Sequence, residues 1–263
     1  MKALLITVGI QGNEGMKAGR AIFTKVKRLS VVLAILAFFA LPAPAEVVGP
    51  QEGIALAIVY DTSGSMSETV PAGDGKRLPK YVIANKALNS IVDRISQFAT
   101  NAPGAPPRQI EVGLYTFRGN TAQEAVKYGP FDPQALRNWV KNFAQPSGTT
   151  PLGNSIKVAS RGVLGSSLSH KHIVIITDGM NTSGPKPEAV IPGILKAAAD
   201  GGGKISLHFV AFDVDAKEFA PVKRLGATVL AASNEAQLNT QLEYIFEKKI
   251  LLEDEEPAGV KSK

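Results

Sequence analysis

The sequence predicts an α/β fold: a doubly wound, mostly parallel sheet of six strands with helices on both faces. Short apolar runs alternate with longer segments of helical periodicity along most of the chain. Such alternation is typical of a parallel sheet that is covered on both sides. The polar turn after residue 117 is too short for a parallel crossover. We therefore predict one antiparallel strand at an edge of the sheet.

The individual elements are predicted from apolar spacing and from the residues that interrupt it. Apolar residues at helical spacing predict a helix over 80–100, and a Pro-rich stretch ends it. Residues 68–79 are rich in Gly, Pro and charge, so we predict a loop there. The predicted strands cover residues 54–60, 110–117, 125–128, 172–177, 205–212 and 228–231. The other predicted helices cover residues 133–143, 152–163, 187–200, 216–225 and a last segment that ends near 249.

The first 45 residues have the three parts of a secretory signal peptide. A basic stretch ends at Arg28, an apolar run spans 29–41, and an Ala-Pro-Ala cleavage pattern ends at Ala45. The apolar run is shorter than the roughly 20 residues that span a bilayer. We therefore expect cleavage and export to the periplasm or the exterior. An uncleaved segment that contacts the membrane is the alternative, and Met16 is an alternative start that leaves a more ordinary basic region.

The rest of the chain is predicted to form one domain. Residues 46–53 contain two glycines and a proline and are predicted to be a linker. The domain is predicted over 54–249, and the charged segment 250–263 is predicted to be a disordered tail.

Composition excludes several classes of function. The formal charge is +6, but residues 1–45 hold six basic side chains and one acidic one. Removing these from the totals of 29 and 23 leaves 23 basic and 22 acidic residues, so the body is nearly neutral. A nucleic-acid partner therefore has little electrostatic support. Cysteine is absent, which excludes disulfides, thiolate metal sites and cysteine nucleophiles.

Oxygen-bearing side chains follow two of the predicted strands. Asp61, Ser63 and Ser65 leave the first strand at alternating positions, and Asp178 follows a later one. In the strand order 3-2-1-4-5-6 these two strands are neighbours at the switch point, where ligands of such folds bind. A Ser/Thr loop that contains Thr150 lies between them in sequence. These oxygens suit a divalent cation. The alternative to a metal site is that each loop contains ordinary turn-forming residues.

These motifs resemble those of a von Willebrand factor type A domain with a metal-ion-dependent adhesion site, of the bacterial exported type. The matching segments are Asp61-Thr62-Ser63-Gly64-Ser65, Thr150-Pro151-Leu152-Gly153 and Thr177-Asp178-Gly179. The resemblance covers residues 54–249 and implies a Rossmann-like sheet. It also implies that hydroxyls of Ser63, Ser65 and Thr150 bind the metal, and that Asp61 and Asp178 bind it directly or through water. Thr149 is the alternative to Thr150.

The resemblance implies a binding protein rather than an enzyme. The expected cofactor is Mg²⁺ or Mn²⁺, and the expected partner is a protein that presents an Asp or Glu carboxylate to the metal. A metal-dependent phosphohydrolase is one alternative, but it needs a second acid at the position of Ser63. A scaffold that needs no metal is the other. His170 and His172 are interpreted as surface or strand-entry residues, and His208 as a partly buried structural residue.

Overall fold

The computed structural model of the chain describes residues 49–100 and 108–251. The predicted signal peptide and the predicted tail beyond residue 251 lie outside these residues. The strands are β1 (Gln51–Tyr60), β2 (Thr69–Pro71), β3 (Arg77–Pro79), β4 (Ile110–Arg118), β5 (Thr121–Pro130), β6 (Leu168–Thr177), β7 (Ile205–Phe212) and β8 (Thr228–Ala232). The helices are α1 (Lys80–Thr100), α2 (Pro133–Asn142), α3 (Leu152–Gly165), α4 (Pro187–Asp200), α5 (Ala220–Arg224) and α6 (Glu235–Ile245). One π-helical segment (Phe246–Leu251) continues α6, and 3-10 turns cover Gly64–Ser67, Gly73–Gly75 and Ala216–Phe219.

Six of the strands form one sheet in the order β5-β4-β1-β6-β7-β8. Every neighbouring pair is parallel except β4 and β5, which are antiparallel. The predicted doubly wound sheet with one antiparallel edge strand is confirmed. β5 is longer than predicted and begins directly after a tight turn at Gly119, which has φ +61°. Its first half is polar because an edge strand with few buried side chains needs no apolar pattern.

Helices cover both faces of the sheet. Alternate residues of β1 point to opposite faces, and the whole strand from Ile54 onward is buried. Ile54, Leu56 and Ile58 pack in one core with α1 and α6, whereas Ala55 and Ala57 pack in the other with α3 and α4. The small side chains on the second face allow α3 to lie close to the sheet.

The segment predicted as a loop between β1 and α1 contains a small antiparallel ribbon, so that prediction was wrong in part. β2 pairs with β3 through three residue pairs. Pro71 and Pro79 suggested a loop, but they lie at the ends of the two strands, where proline is tolerated. Val70 is 2% exposed and anchors the ribbon to the core. The ribbon lies between Glu68 and Lys80, which both reach the site described below.

Regular secondary structure extends beyond both ends of the predicted domain, 54–249. β1 starts at Gln51, so the last three residues of the predicted linker belong to the sheet. Ile250 and Leu251 are buried in the π-helical segment and are not part of a solvated tail. The residues that the structure describes contain no helix both long and apolar enough to span a bilayer.

Two of the three histidines form a buried pair, which corrects one interpretation. His172 lies in the middle of β6 and is 1% exposed, so it is not a surface residue. Its ring stacks on that of His208, with an interplanar angle of 23° and 3.4 Å between Nδ1 of His172 and Nε2 of His208. His208 is also buried. His170 is partly exposed, and its Nε2 lies 3.1 Å from Oε1 of Glu52.

Candidate metal site

Two polar loops leave neighbouring strands at the same edge of the sheet. β1 is followed by Asp61, and β6 is followed by Asp178. The two strands lie side by side at the centre of the sheet, where the direction of winding reverses. In open α/β sheets this switch point leaves a crevice outside the carboxyl ends of the strands. The fold thus brings the two acidic strand ends together.

The Asp61 carboxylate is fixed by hydrogen bonds from both loops. It is fully buried, and its Oδ1 accepts the backbone N–H of Ser63 at 2.8 Å. Its Oδ2 accepts the hydroxyl of Thr177 at 2.6 Å. Because both oxygens already accept hydrogen bonds, Asp61 is suited to orienting neighbouring groups more than to projecting into solvent.

Two serine hydroxyls connect the first loop to the second acid. The Oγ atoms of Ser63 and Ser65 lie 3.1 Å apart. Ser65 Oγ donates a hydrogen bond to Asp178 Oδ1 at 2.9 Å. Two hydroxyls of the first loop therefore share one small volume with a carboxylate that lies more than a hundred residues later in the chain.

The Ser/Thr loop is held against the first loop by backbone hydrogen bonds. Ser147 N donates to Thr62 O at 2.8 Å, and Gly64 N donates to Gly148 O at 3.2 Å. Gly148 has φ +86°, and a Cβ there would lie 3.1 Å from Gly119 Cα. A side chain at position 148 would thus be strained and crowded, so glycine allows this close approach.

Thr150 faces the same volume, whereas Thr149 does not. Thr150 is 4% exposed. A Cβ added at Gly179 would lie 3.8 Å from Thr150 Oγ1 and 3.9 Å from Ser65 Oγ, so both hydroxyls border the position of Gly179. The Thr149 hydroxyl instead donates to Asn120 Oδ1 at 2.7 Å on the exposed side of the loop. Of the two threonines, the structure favours Thr150 as a member of the site.

The electrostatics of the site favour a bound cation. Burial, and then the charge of Asp178, raise the pKa of Asp61 to about 6. Burial also raises the pKa of Asp178, although Lys80 and a hydrogen bond from Ser65 act in the opposite direction. Asp178 thus disfavours the ionised form of Asp61, and a cation bound between the two carboxylates would offset this effect.

Sequence reasoning missed a buried lysine beside the site. Lys80 opens α1 and is 2% exposed. Its Nζ lies 2.9 Å from Glu68 Oε2, 3.1 Å from Asp178 Oδ2 and 3.1 Å from Asp213 Oδ2. Asp213 follows β7 as Asp178 follows β6, so a third acidic strand end was visible in the sequence. No sequence signal separates Lys80 from an ordinary solvated lysine in the first turn of a helix.

The side chains of the site suit a hard divalent cation. Hydroxyl and carboxylate oxygens are ligands that Mg²⁺ and Mn²⁺ accept. Within residues 49–100 and 108–251, no group of three or more His, Cys, Asp or Glu residues is arranged to hold a metal. Metal binding at this site would therefore depend on the hydroxyls of Ser63, Ser65 and Thr150 together with the two acids.

Fold and site together define an α/β domain with an oxygen-lined switch point. The von Willebrand factor type A domain profile matches residues 55–243, well over half of the chain. The protein belongs to the von Willebrand factor type A domain family. A search of curated proteins gives no match.

Several solved structures share the fold at low sequence identity. The PilB minor pilin from Streptococcus sanguinis is 17% identical with a TM-score of 0.55, and the match covers 77% of this chain and 62% of the pilin. The von Willebrand factor domain of Mfa5, a type V pili tip protein from Porphyromonas gingivalis, is 12% identical with a TM-score of 0.53, covering 74% and 94%. Proximal thread matrix protein 1 from the mussel byssus was solved with a zinc-occupied metal-ion-dependent adhesion site (MIDAS) motif. It is 15% identical with a TM-score of 0.51, and the match covers 76% of this chain and 48% of the mussel protein. The match thus spans about three fifths of the pilin's own length.

Proposed function

We propose that this protein is an exported binding module that holds a divalent cation and, through it, an acidic residue of a protein partner. The observation that carries the proposal is the hydrogen bond from Ser65 Oγ to Asp178 Oδ1, 2.9 Å long, with Ser63 and Thr150 beside it. This cluster joins three separate loops, whereas ordinary turn chemistry acts within a single loop.

Each proposed ligand has a distinct role. Ser63, Ser65 and Thr150 would contribute neutral hydroxyl oxygens directly to the cation. Asp61 and Asp178 would bind it directly or through water and supply the negative charge. Mg²⁺ suits such a site because it dehydrates reluctantly and keeps several waters, and Mn²⁺ is the second candidate.

A cation held mainly by neutral oxygens keeps much of its positive charge. An incoming Asp or Glu carboxylate can then replace one water and complete both the charge and the coordination. Binding of this kind needs no nucleophile and no general base, so we propose that the protein is not an enzyme. The position that a phosphohydrolase would fill with a second acid holds Ser63, whose Oγ lies 3.1 Å from Ser65 Oγ.

The relatives support the same kind of role. The mussel protein carries a zinc-occupied MIDAS motif, and two of the structural neighbours are pilus proteins. The signal-like residues 1–45 favour export to the periplasm or the exterior. We therefore propose adhesion or assembly of an envelope complex as the setting in which the partner is bound.

Millimolar Mg²⁺ or Mn²⁺ should raise the melting temperature of the protein, and Ser65→Ala should abolish this rise. A ligand that binds only the native state stabilises it by mass action, by about 1.4 kcal/mol when its concentration is ten times Kd. Ser67→Ala is the matched control, because Ser67 is exposed at the end of the same turn. Melting curves of wild type that do not change with either metal would overturn the proposal.

The assignment of Thr150 and the acidic partner can be tested on the same protein. Thr150→Val should weaken Mn²⁺ binding at least about tenfold, as expected when a ligand oxygen is lost, whereas Thr149→Val should not. Acetate should displace a metal-bound water and lower the water proton relaxation caused by bound Mn²⁺. Acetamide, which has the same shape and no charge, should have no effect. Equal effects of acetate and acetamide on the relaxation would contradict a coordination position on the metal that binds a carboxylate.

A further inference from the structure

Lys80 lies beside the candidate metal site, and the proposed function does not use it. Its side chain is 3% exposed and contacts the carboxylates of Glu68, Asp178 and Asp213. Taking an ammonium out of water is costly unless hydrogen bonds and opposite charges replace the solvent. Three carboxylates within 3.1 Å meet that requirement. Lys80 is thus held as a cation inside the protein.

The protonated state of Lys80 is secured by these contacts. Burial alone would lower the pKa of Lys80, but hydrogen bonds from its ammonium to Glu68 and Asp213, together with the charge of Asp178, raise it above its usual value. Held by three carboxylates, Lys80 keeps the positive charge that a lysine ordinarily carries at neutral pH.

The three contacts of Lys80 differ in their exposure to water. The side chains of Glu68 and Asp213 are 67% and 41% exposed, whereas the side chain of Asp178 is fully buried. Water and salt screen the two outer pairs. The pair between Lys80 and Asp178 is shielded from solvent, so it has the largest electrostatic effect on the site.

Asp178 is shared between Lys80 and the hydroxyl cluster. Its Oδ1 accepts from Ser65, and its Oδ2 contacts the ammonium of Lys80. A divalent cation held at Ser65 would need the negative charge of Asp178, which Lys80 already neutralises in part. The metal and the ammonium therefore compete for one carboxylate.

Asp213, which forms an ion pair with Lys80, has an unusual backbone conformation. It has φ +58°, and it has the only positive φ among the described residues other than glycine. A left-handed backbone is uncommon for residues with a side chain, although Asp and Asn adopt it more readily than others. At Asp213 this conformation accompanies an ion pair with Lys80.

We propose that Lys80 is a tethered competitor cation that sets the affinity of the metal site. It neutralises Asp178 in the metal-free protein and weakens the binding of divalent metal, so that occupancy follows the metal concentration of the surroundings. This inference rests on the proposed metal function and concerns its regulation.

The test is a calorimetric titration of Mn²⁺ and Mg²⁺ into wild type and four variants. Lys80→Met removes the charge and keeps much of the side-chain volume, and we expect it to bind metal at least about tenfold more tightly because the repulsion of a nearby unit charge is gone. Lys80→Arg keeps the charge, so its Kd should stay within about threefold of wild type. Lys86→Met is the matched control, because Lys86 also lies on α1 and pairs with Glu235 away from the site.

The variants also separate metal tuning from a merely structural role. Lys80→Met is expected to melt at a lower temperature than wild type without metal and to gain more from added metal. The double variant Lys80→Met/Asp213→Asn, measured in parallel, removes one carboxylate together with the ammonium and should show the same tighter binding. This double variant provides the comparison if Lys80→Met alone does not fold.

Each outcome bears on one of the two proposals. Metal binding by wild type, with equal or weaker binding by folded Lys80→Met and by the double variant, would overturn the inference and leave the proposed function standing. Binding by Lys80→Met but not by wild type would support the inference and overturn metal binding as the wild-type function. Absence of metal binding in wild type, in Lys80→Met and in the double variant would overturn both the inference and the proposed function.

Discussion

Gly153→Ala is expected to destabilise the protein by about 3 kcal/mol, a clash cost at the upper end of overpacked positions. A Cβ at this position would lie 2.1 Å from the backbone oxygen of Pro185 and 3.0 Å from the carbonyl carbon of Lys186. These are backbone atoms, so no flexible side chain can move aside. For a domain of this size the melting temperature should fall by about 6–12 °C.

Gly193→Ala is the matched control and is expected to have the opposite sign. Gly193 lies inside α4, and a Cβ there would meet nothing within 4 Å. Alanine at an open helical position is favoured over glycine by about 0.8–1 kcal/mol. Thermal or urea unfolding of both variants measures the difference. Equal or higher stability of Gly153→Ala would show that the segment at Pro185 is not packed on α3 as described.

The substitution should also disturb the candidate metal site. Gly153 N donates to Asn181 Oδ1 at 3.1 Å, and Thr150 N donates to Thr182 Oγ1 at 2.8 Å. These contacts join the Thr150 loop to the segment after Asp178. Pushing the two segments apart would move the Thr150 hydroxyl, so we expect Gly153→Ala to lose metal-dependent stabilisation while Gly193→Ala keeps it.

Acid should destabilise the protein through the buried histidine pair, by up to about 1.4 kcal/mol per histidine for each pH unit. Burial, followed by the charges of neighbouring groups, lowers the pKa of His172 to about 3 and that of His208 to about 4. In the unfolded chain both would titrate near 6.5. Below pH 6.5 these two histidines are therefore protonated in the unfolded chain but remain neutral in the folded protein. The contribution is fully present above pH 6.5 and is lost as the pH falls towards 4.

The carboxylates of the candidate metal site act in the opposite direction. Because the pKa of Asp61 is raised to about 6, the folded protein takes up this proton before the unfolded chain does. Between pH 6 and about 4 this uptake favours the folded state. The acid slope of wild type is thus a difference of two effects, so a variant is needed to isolate the histidines.

The double variant His172→Leu/His208→Leu isolates them. We expect it to lose less stability than wild type between pH 6.5 and 4.5, by up to about 5 kcal/mol, as read from urea unfolding in EDTA. His170→Leu is the control for loss of an imidazole outside the pair, since His170 lies partly exposed beside Glu52, and it should change the acid slope less than the double variant does. If the double variant and wild type lose equal stability, the pair does not resist protonation.

Most strands and helices and the residue types of the candidate site could be predicted because they depend on local pattern. A buried parallel strand is continuously apolar, so β1 and β6 were visible, and the residues that follow them were Asp61 and Asp178. The edge strand β5 was visible only in its second half, because an exposed edge needs little apolar surface. The β2–β3 ribbon was missed because each strand has three residues and contains proline.

By itself the sequence determined the alternation of strands and helices and the oxygen-bearing side chains that follow two of the strands, because strand and helix periodicities are local properties of the chain. Only the tertiary structure shows that the Thr149 hydroxyl is bonded to Asn120, that His172 meets His208, and that Lys80 is buried against Asp178. These contacts join residues that are distant in the chain. Their geometry depends on how closely the loops and helices pack, which no local pattern encodes.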